Sequence, residues 1–243
     1  MGGYSSMFLG TILEKVKSAL QNQACLLCQQ KLYASTQFCG SCTEKLSIRE
    51  PDPLIDMPFC LTHAATTFSP TIKKMIYGHK FYNRTEHVAQ LVGLLIQYWE
   101  SLPPYLGLNE VHPENVLVVP IPPHEGKVSL IDMFASRFAR HFGYDYQHNV
   151  LTWMRDVRPQ HHIHEKERRF SNVAQSLRLK SGIVSGYEKI IVVDDITTTG
   201  ATLLEASRAF HDEVGQKSYR QQDLICLAVS QVPIGAQLRS GEA

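Results

Sequence analysis

With 243 residues, 44% hydrophobic and 19% charged, the chain is long enough to bury a core without disulfides and has the composition of a globular protein. Its formal net charge of +1 excludes a global field that would recruit nucleic acid or an anionic membrane, so any polyanion site must come from local clustering. No segment reaches the ~18 consecutive apolar residues of a membrane span, and the first twenty residues lack a basic leader followed by an apolar core, so a cytoplasmic protein is expected.

In chain order, Phe8, Ile12, Val16 and Ala19 or Leu20 share one face of a short amphipathic helix over 7–20. A cysteine-bearing module follows over 24–46. Residues 50–58 are polar and proline-rich and read as a linker. A strand is expected over 59–68, then a helix from Pro70 ending near Gly78, and a strongly periodic helix over 84–101 through Val88, Leu91, Val92, Leu95 and Trp99. Residues 102–114 read as a loop, and Asn115 to Val119 as a buried strand closed by Pro120. A helix is expected over 129–142 and a short strand over 148–154. Residues 155–172 are crowded with charge and histidine and show no period, so they read as a long polar excursion with the character of a lid. Lys189 to Val193 is a buried strand, 201–214 a helix and Leu224 to Val229 a last strand. Strands alternating with helices predict an α/β fold with a mostly parallel sheet.

The segment Ile190 to Leu203 carries the chemistry. Four β-branched residues lead into Asp194 and Asp195, then Thr197-Thr198-Thr199-Gly200-Ala201-Thr202 runs into the next helix. In open α/β sheets the carboxyl ends of the strands are where ligands bind. A phosphate needs several donors converging on one point, and the N–H groups at a helix N-terminus supply them with a favourable dipole. Gly200 permits close approach, and the hydroxyls of Thr198, Thr199 and Thr202 add donors. Two carboxylates repel a phosphate, so Asp194 and Asp195 suit sugar hydroxyls or hydrated Mg²⁺. The simpler alternative is a strand, turn and helix with a threonine cap. The paired acids favour a phosphorylated ribose, phosphoribosyl pyrophosphate in particular.

Four of the six cysteines form two Cys-x-x-Cys steps, Cys25/Cys28 and Cys39/Cys42, ten residues apart. Each step presents two thiolates to one ion, and four close a tetrahedral zinc site with no open position, so its role is folding or docking. A redox pair is the alternative. Cys60 and Cys226 lie in apolar strands and read as core residues.

The Asp-Asp-Ile-Thr-Thr-Thr-Gly-Ala-Thr segment resembles the type I phosphoribosyltransferases. The resemblance implies that Thr198 to Thr202 hold the 5′-phosphate, with Thr197 beside them in the ligand site, that Asp194 and Asp195 hold the ribose 2′ and 3′ hydroxyls, and that Mg²⁺ accompanies the pyrophosphate; Asp194, Asp195, Lys127 and Arg169 are the candidate catalytic residues. A four-cysteine finger ahead of such a domain resembles the ComF family, also described as GntX-like, whose members act in natural competence during uptake of transforming DNA. Further matches are Ile72-Lys73-Lys74-Met75 leading to His79-Lys80-Phe81, Val118-Val119-Pro120-Ile121-Pro122, and Gln160 followed by Arg169-Phe170-Ser171-Asn172. By the resemblance, Lys80 belongs to the ligand site and Arg169 to a lid over pyrophosphate. Where the family carries Arg-Gly-Phe-Asn-Gln as its pyrophosphate loop, this chain has His124-Glu125-Gly126-Lys127-Val128-Ser129. Gly126 offers close approach and Lys127 one cation, without the fork of an arginine.

The implied organisation is a helix and finger over 1–50 and a phosphoribosyltransferase-like domain over 59–243. Three functions follow: a competence protein that binds phosphoribosyl pyrophosphate, with single-stranded DNA or competence-machinery proteins as partners; an active phosphoribosyltransferase with an unidentified acceptor; or a zinc-finger DNA-binding or scaffold protein without catalysis. Arg155, Arg158, Lys166, Arg168 and Arg169, interleaved with His161, His162 and His164, would form the lid; the bland alternative is a solvated loop. Lys73, Lys74, Lys80 and Arg84 form a second basic cluster, for pyrophosphate, for DNA phosphates or for solvent.

Overall fold

The computed structural model describes residues 24–25, 27–32, 38–46, 48–51, 55–57, 60–82, 86–102, 106, 111–123, 130–154, 166–180, 182–184, 186–214 and 223–233. The amphipathic segment 7–20, Lys127 and residues 155–165 lie outside them.

The centre is a six-stranded sheet in the order β1-β2-β8-β7-β3-β4. Its strands are β1 (Ile55–Met57), β2 (Cys60–Thr67), β3 (Val116–Pro120), β4 (Asp145–Tyr146), β7 (Lys189–Thr197) and β8 (Leu224–Gln231). All neighbours pair in parallel except β1, which folds back antiparallel on β2. Strands β5 (Leu151–Trp153) and β6 (Leu177–Leu179) form a separate antiparallel ribbon.

Two apolar layers sandwich this sheet, because the runs Val116–Val119, Ile190–Val193 and Leu224–Val229 are apolar at every position and the two-residue period divides their side chains between faces. Val116 and Val118 of β3, Ile191 and Val193 of β7, and Ile225, Leu227 and Val229 of β8 join one core. Over it lie helices α2 (Pro70–Tyr82), α3 (Glu86–Ser101) and α4 (Leu130–Phe142). Leu117, Val119, Ile190, Val192, Leu224 and Cys226 face the other core. That core is covered by α6 (Ala201–Val214), through Leu203, Ala206, Ala209 and Phe210, and by the β5–β6 ribbon. Helix α5 (Lys166–Val173) packs on α6. The short α1 (Gly40–Leu46) belongs to the cysteine module. Cys25, Leu32, Phe38, Cys42 and Leu46 join the same core as Ile72, Met75 and Ile76 of α2. The module is also tied to the sheet by an antiparallel bridge between Ile48 and Thr66 and by the Arg49 N–H donating to the Ala65 carbonyl at 3.0 Å.

Several expectations change. The linker over 50–58 contains β1, which forms because β2 offers it an open edge. Helix α2 runs through Gly78 to Tyr82; an interior glycine costs about 1 kcal/mol relative to alanine, which tertiary packing overrides. Strand β7 continues to Thr197, because β8 pairs with it as far as Gln231. The polar excursion holds a helix, α5, in its second half. Two short strands, β4 and β6, carry no pattern of their own.

Candidate functional site

Strand β3 leads through α4, on one face of the sheet, to β4 at the rim. Strand β7, its neighbour, leads through α6 on the opposite face to β8 on the other side. The winding reverses between β3 and β7, and their carboxyl ends border the crevice that doubly wound sheets use for ligands. The last β3–β7 pair is Pro120 with Val193. Ile121 extends it by donating its N–H to the Val193 carbonyl at 2.9 Å. Beyond that point β7 continues alone past β3 for Asp194 to Thr197, still paired on its other side to β8.

The two aspartates therefore stand within the strand rather than after it. Both are buried, at 7% and 6% relative exposure. Asp194 Oδ1 accepts the Asp195 N–H at 2.8 Å, and Asp195 Oδ1 accepts the Ile196 N–H at 2.7 Å. Each carboxylate is so fixed by the backbone of the next residue. By the strand period the pair divides between the two faces, Asp194 on the side of Ile190 and Val192, Asp195 on the side of Ile191 and Val193. Two buried carboxylates at the mouth of a crevice provide acceptors for hydroxyls and favour a cation.

Thr197 is buried, while Thr198, Thr199 and Thr202 are half-buried. Gly200 takes φ = 78°, in the left-handed region, which lets the chain turn from β7 into α6. Thr199 Oγ1 accepts the Ala201 N–H at 3.4 Å, and the Gly200 carbonyl accepts the Leu204 N–H at 2.8 Å, opening the helix. The structure thus brings Asp194, Asp195 and Thr197 to Thr202 together on one strand-to-helix turn. It does not add Lys127, which lies outside the described residues. Lys80 falls within α2 and Arg169 within α5, but their side chains also lie outside what is described. Of the other basic cluster, the Lys73 ammonium sits 5.8 Å from the centre of the Tyr77 ring on its own helix, a packing role.

Two features of the surroundings had no sequence signal strong enough to single them out. Trp153, ending β5, donates its indole N–H to the Pro122 carbonyl at 2.9 Å. Glu205 of α6 is buried at 5% exposure, accepting the Leu177 N–H at 3.0 Å and bonds from Arg208 at 2.7 and 2.8 Å. Arg208 in turn donates to the Leu177 carbonyl at 2.9 Å and pairs with Asp212. Both backbone groups of one β6 residue are thus satisfied by α6, in place of a further strand. Burial works against the charged form of Glu205, but the bonds from Arg208, Leu177 and Gln175 outweigh it and hold the carboxyl below its ordinary value. An acid with an arginine three residues on, on the helix face of 201, 208 and 212 and off the apolar stripe of 203, 206 and 210, is the trace it leaves in the sequence.

The thiols of Cys25, Cys28, Cys39 and Cys42 all lie within 4.8 Å of one another. Cys28 and Cys39 Sγ are 3.7 Å apart; a tetrahedron with metal–sulfur bonds of about 2.3 Å has edges of about 3.8 Å. The Cys39 N–H points to Cys25 Sγ at 3.4 Å, and Gln29, at φ = 64°, closes the first knuckle by donating to the Cys25 carbonyl at 2.8 Å. Burial disfavours a thiolate at Cys25, but N–H groups of Cys28, Cys39 and Leu27 converge on it and bring its pKa down to about 6. Burial, with the neighbouring thiols, pushes Cys42 up. The cluster offers four soft donors in a geometry that can hold a metal ion. Cys60 and Cys226 are core residues, as expected, and lie Sγ to Sγ at 3.6 Å across β2 and β8.

No protein-family model matches the chain, and no curated protein matches it in sequence. Among solved structures, adenine phosphoribosyltransferase from Leishmania donovani is similar at 9% sequence identity, over 68% of this chain and 75% of that one, with a TM-score of 0.34. No helix among the described residues is long and apolar enough to cross a membrane.

Proposed function

We propose that this chain binds phosphoribosyl pyrophosphate at the carboxyl end of β7, in the manner of a type I phosphoribosyltransferase. One observation carries the reading: two buried, backbone-fixed carboxylates stand immediately before a Thr-rich turn with a left-handed Gly200, at the point where the sheet's winding reverses. In this reading the N–H groups of Thr199 to Thr202 and the threonine hydroxyls hold the 5′-phosphate against the α6 N-terminus. Asp194 and Asp195 accept the ribose 2′ and 3′ hydroxyls. The loop after Pro122, with Lys127, meets the pyrophosphate, and Arg169 and Lys80 add positive charge around it. Mg²⁺, when bound with the ligand, supplies charge neutralisation on the pyrophosphate. The work of the chain is to orient C1 for displacement and to exclude water, which suits a dissociative, oxocarbenium-like transition state.

The resemblance to the ComF family sets the biological role in this proposal: a cytoplasmic protein of natural competence, with the finger over 1–50 holding structural zinc and the domain over 59–243 holding the ribose ligand. The four-sulfur geometry favours zinc over a redox pair. Single-stranded DNA and proteins of the uptake machinery are the partners it implies.

Calorimetry of phosphoribosyl pyrophosphate with Mg²⁺ tests the site. Asp194→Ala with Asp195→Ala should weaken binding more than 100-fold, a loss of about 3 kcal/mol. Undiminished affinity would remove the pair from the ligand site. Release of pyrophosphate, screened against bases, ammonia and single-stranded DNA, separates a transferase from a binding protein.

A further inference from the structure

Three segments that border the crevice meet at Trp153. Its indole N–H donates to the Pro122 carbonyl, and its ring packs against the small cluster of Val173 on α5 and Ala201 at the start of α6. It also lies against the core beneath α6. Residues 120–123, where the chain leaves β3, have few means of holding their own position. Pro120, Pro122 and Pro123 have no N–H, so Ile121 is the sole backbone donor in that stretch, and it is committed to Val193. One residue further on, Trp153 holds the carbonyl of Pro122. One anchor ties this stretch to β7, the other to the ribbon and to the first residue of α6.

The geometry points to Trp153 as a positioning residue that holds Ile121 to Pro123, where the chain leaves β3, at a set distance from the Thr-rich turn. The consequence is selective: a ligand whose second anionic group reaches across the crevice depends on that distance, whereas a ligand held by its 5′-phosphate alone does not. The inference rests on the phosphoribosyl reading of the site. If Trp153 only packs the ribbon, its loss lowers stability without discriminating between ligands.

Calorimetry on the whole chain with two ligands, ribose 5-phosphate and phosphoribosyl pyrophosphate with Mg²⁺, decides between these. Trp153→Phe keeps an aromatic ring and deletes the N–H. It should leave the affinity for ribose 5-phosphate within twofold and weaken phosphoribosyl pyrophosphate about fivefold, the value of one hydrogen bond. Equal losses for both ligands, or none for either, overturn the inference and leave the reading of the site intact. Wild-type protein that binds neither ligand overturns the reading, and the inference with it. A second measurement does not depend on the variant's affinity. The chain has two tryptophans, Trp99 and Trp153, so 5-fluorotryptophan labelling gives two ¹⁹F resonances. Because its ring touches Ala201, the Trp153 signal should move with both ligands and clearly further with phosphoribosyl pyrophosphate; equal shifts, or a signal that ignores both ligands at saturation, overturn the inference.

Discussion

Replacing Glu205 with alanine tests how α6 holds the β5–β6 ribbon. In the native state its carboxylate accepts the N–H of Leu177 and two bonds from Arg208 at one buried point. Removal leaves the Leu177 N–H buried without that acceptor, at a cost of about 1–3 kcal/mol. Arg208 loses Glu205 but keeps Asp212 and the Leu177 carbonyl, and at 29% exposure its side chain recovers part of its hydration. The expected total is about 3 kcal/mol, which at this chain length lowers the melting temperature by about 6–12 °C. Urea unfolding followed by circular dichroism at pH 7 measures it. Glu205→Gln keeps an acceptor for Leu177 and should cost about 1 kcal/mol. Combining Glu205→Ala with Arg208→Ala should cost at least 1 kcal/mol less than the sum of the single changes, since the two side chains act on the same residue. An alanine variant within 0.5 kcal/mol of wild type, or a strictly additive pair, would refute the bracket as a source of stability.

The same carboxylate gives a pH dependence. Its folded pKa lies below its ordinary 4.5. Its contribution is therefore complete above that value and is lost as pH falls through the folded pKa, so Glu205→Gln should lose less stability between pH 5 and 3 than wild type does, by urea titration at each pH. Gly200→Val forces a β-branched residue to φ = 78°, costs about 1–2 kcal/mol or more, and should weaken ribose 5-phosphate binding at least tenfold; unchanged melting and affinity would contradict the turn geometry. Chelation of bound metal, or Cys25→Ser, should raise hydrogen exchange over 24–46 and also in the buried turns of α2, because Phe38 and Leu46 share a core with Ile72 and Met75. Exchange that stays unchanged in both segments would remove the metal from the account.

Features built from neighbours in sequence were legible; those built from distant partners were not. Val116–Val119 and Ile190–Val193 announce buried strands by composition alone, and the Thr-rich turn and the Cys-x-x-Cys steps are local by nature. The end of β7 was not legible, since aspartates are poor strand formers and only pairing to Ala228, Ser230 and Gln231 carries the strand onward. Strand β6 is a bare Leu-Arg-Leu, made a strand by Leu151–Trp153 on one side and by Glu205 and Arg208 on the other. Helix α5, Lys-Glu-Arg-Arg-Phe-Ser-Asn-Val, has only Phe170 and Val173 to bury, and its period emerges through packing on α6. The Trp153–Pro122 bond joins residues 31 apart and follows no motif.

The margins of the sheet bear on how this protein can associate. Its outer strands have three residues at one rim and two at the other, and the long flank of β2 is shielded by β1 and by the Ile48 bridge. Short, interrupted margins give an incoming strand too few hydrogen bonds to settle in register. Growth by strand addition is thereby discouraged among the described residues, both into fibrils and into continuous intermolecular sheets. A stable partner has to be met by helix surfaces, by the cysteine module or by loops, where side chains rather than backbone ladders decide who binds.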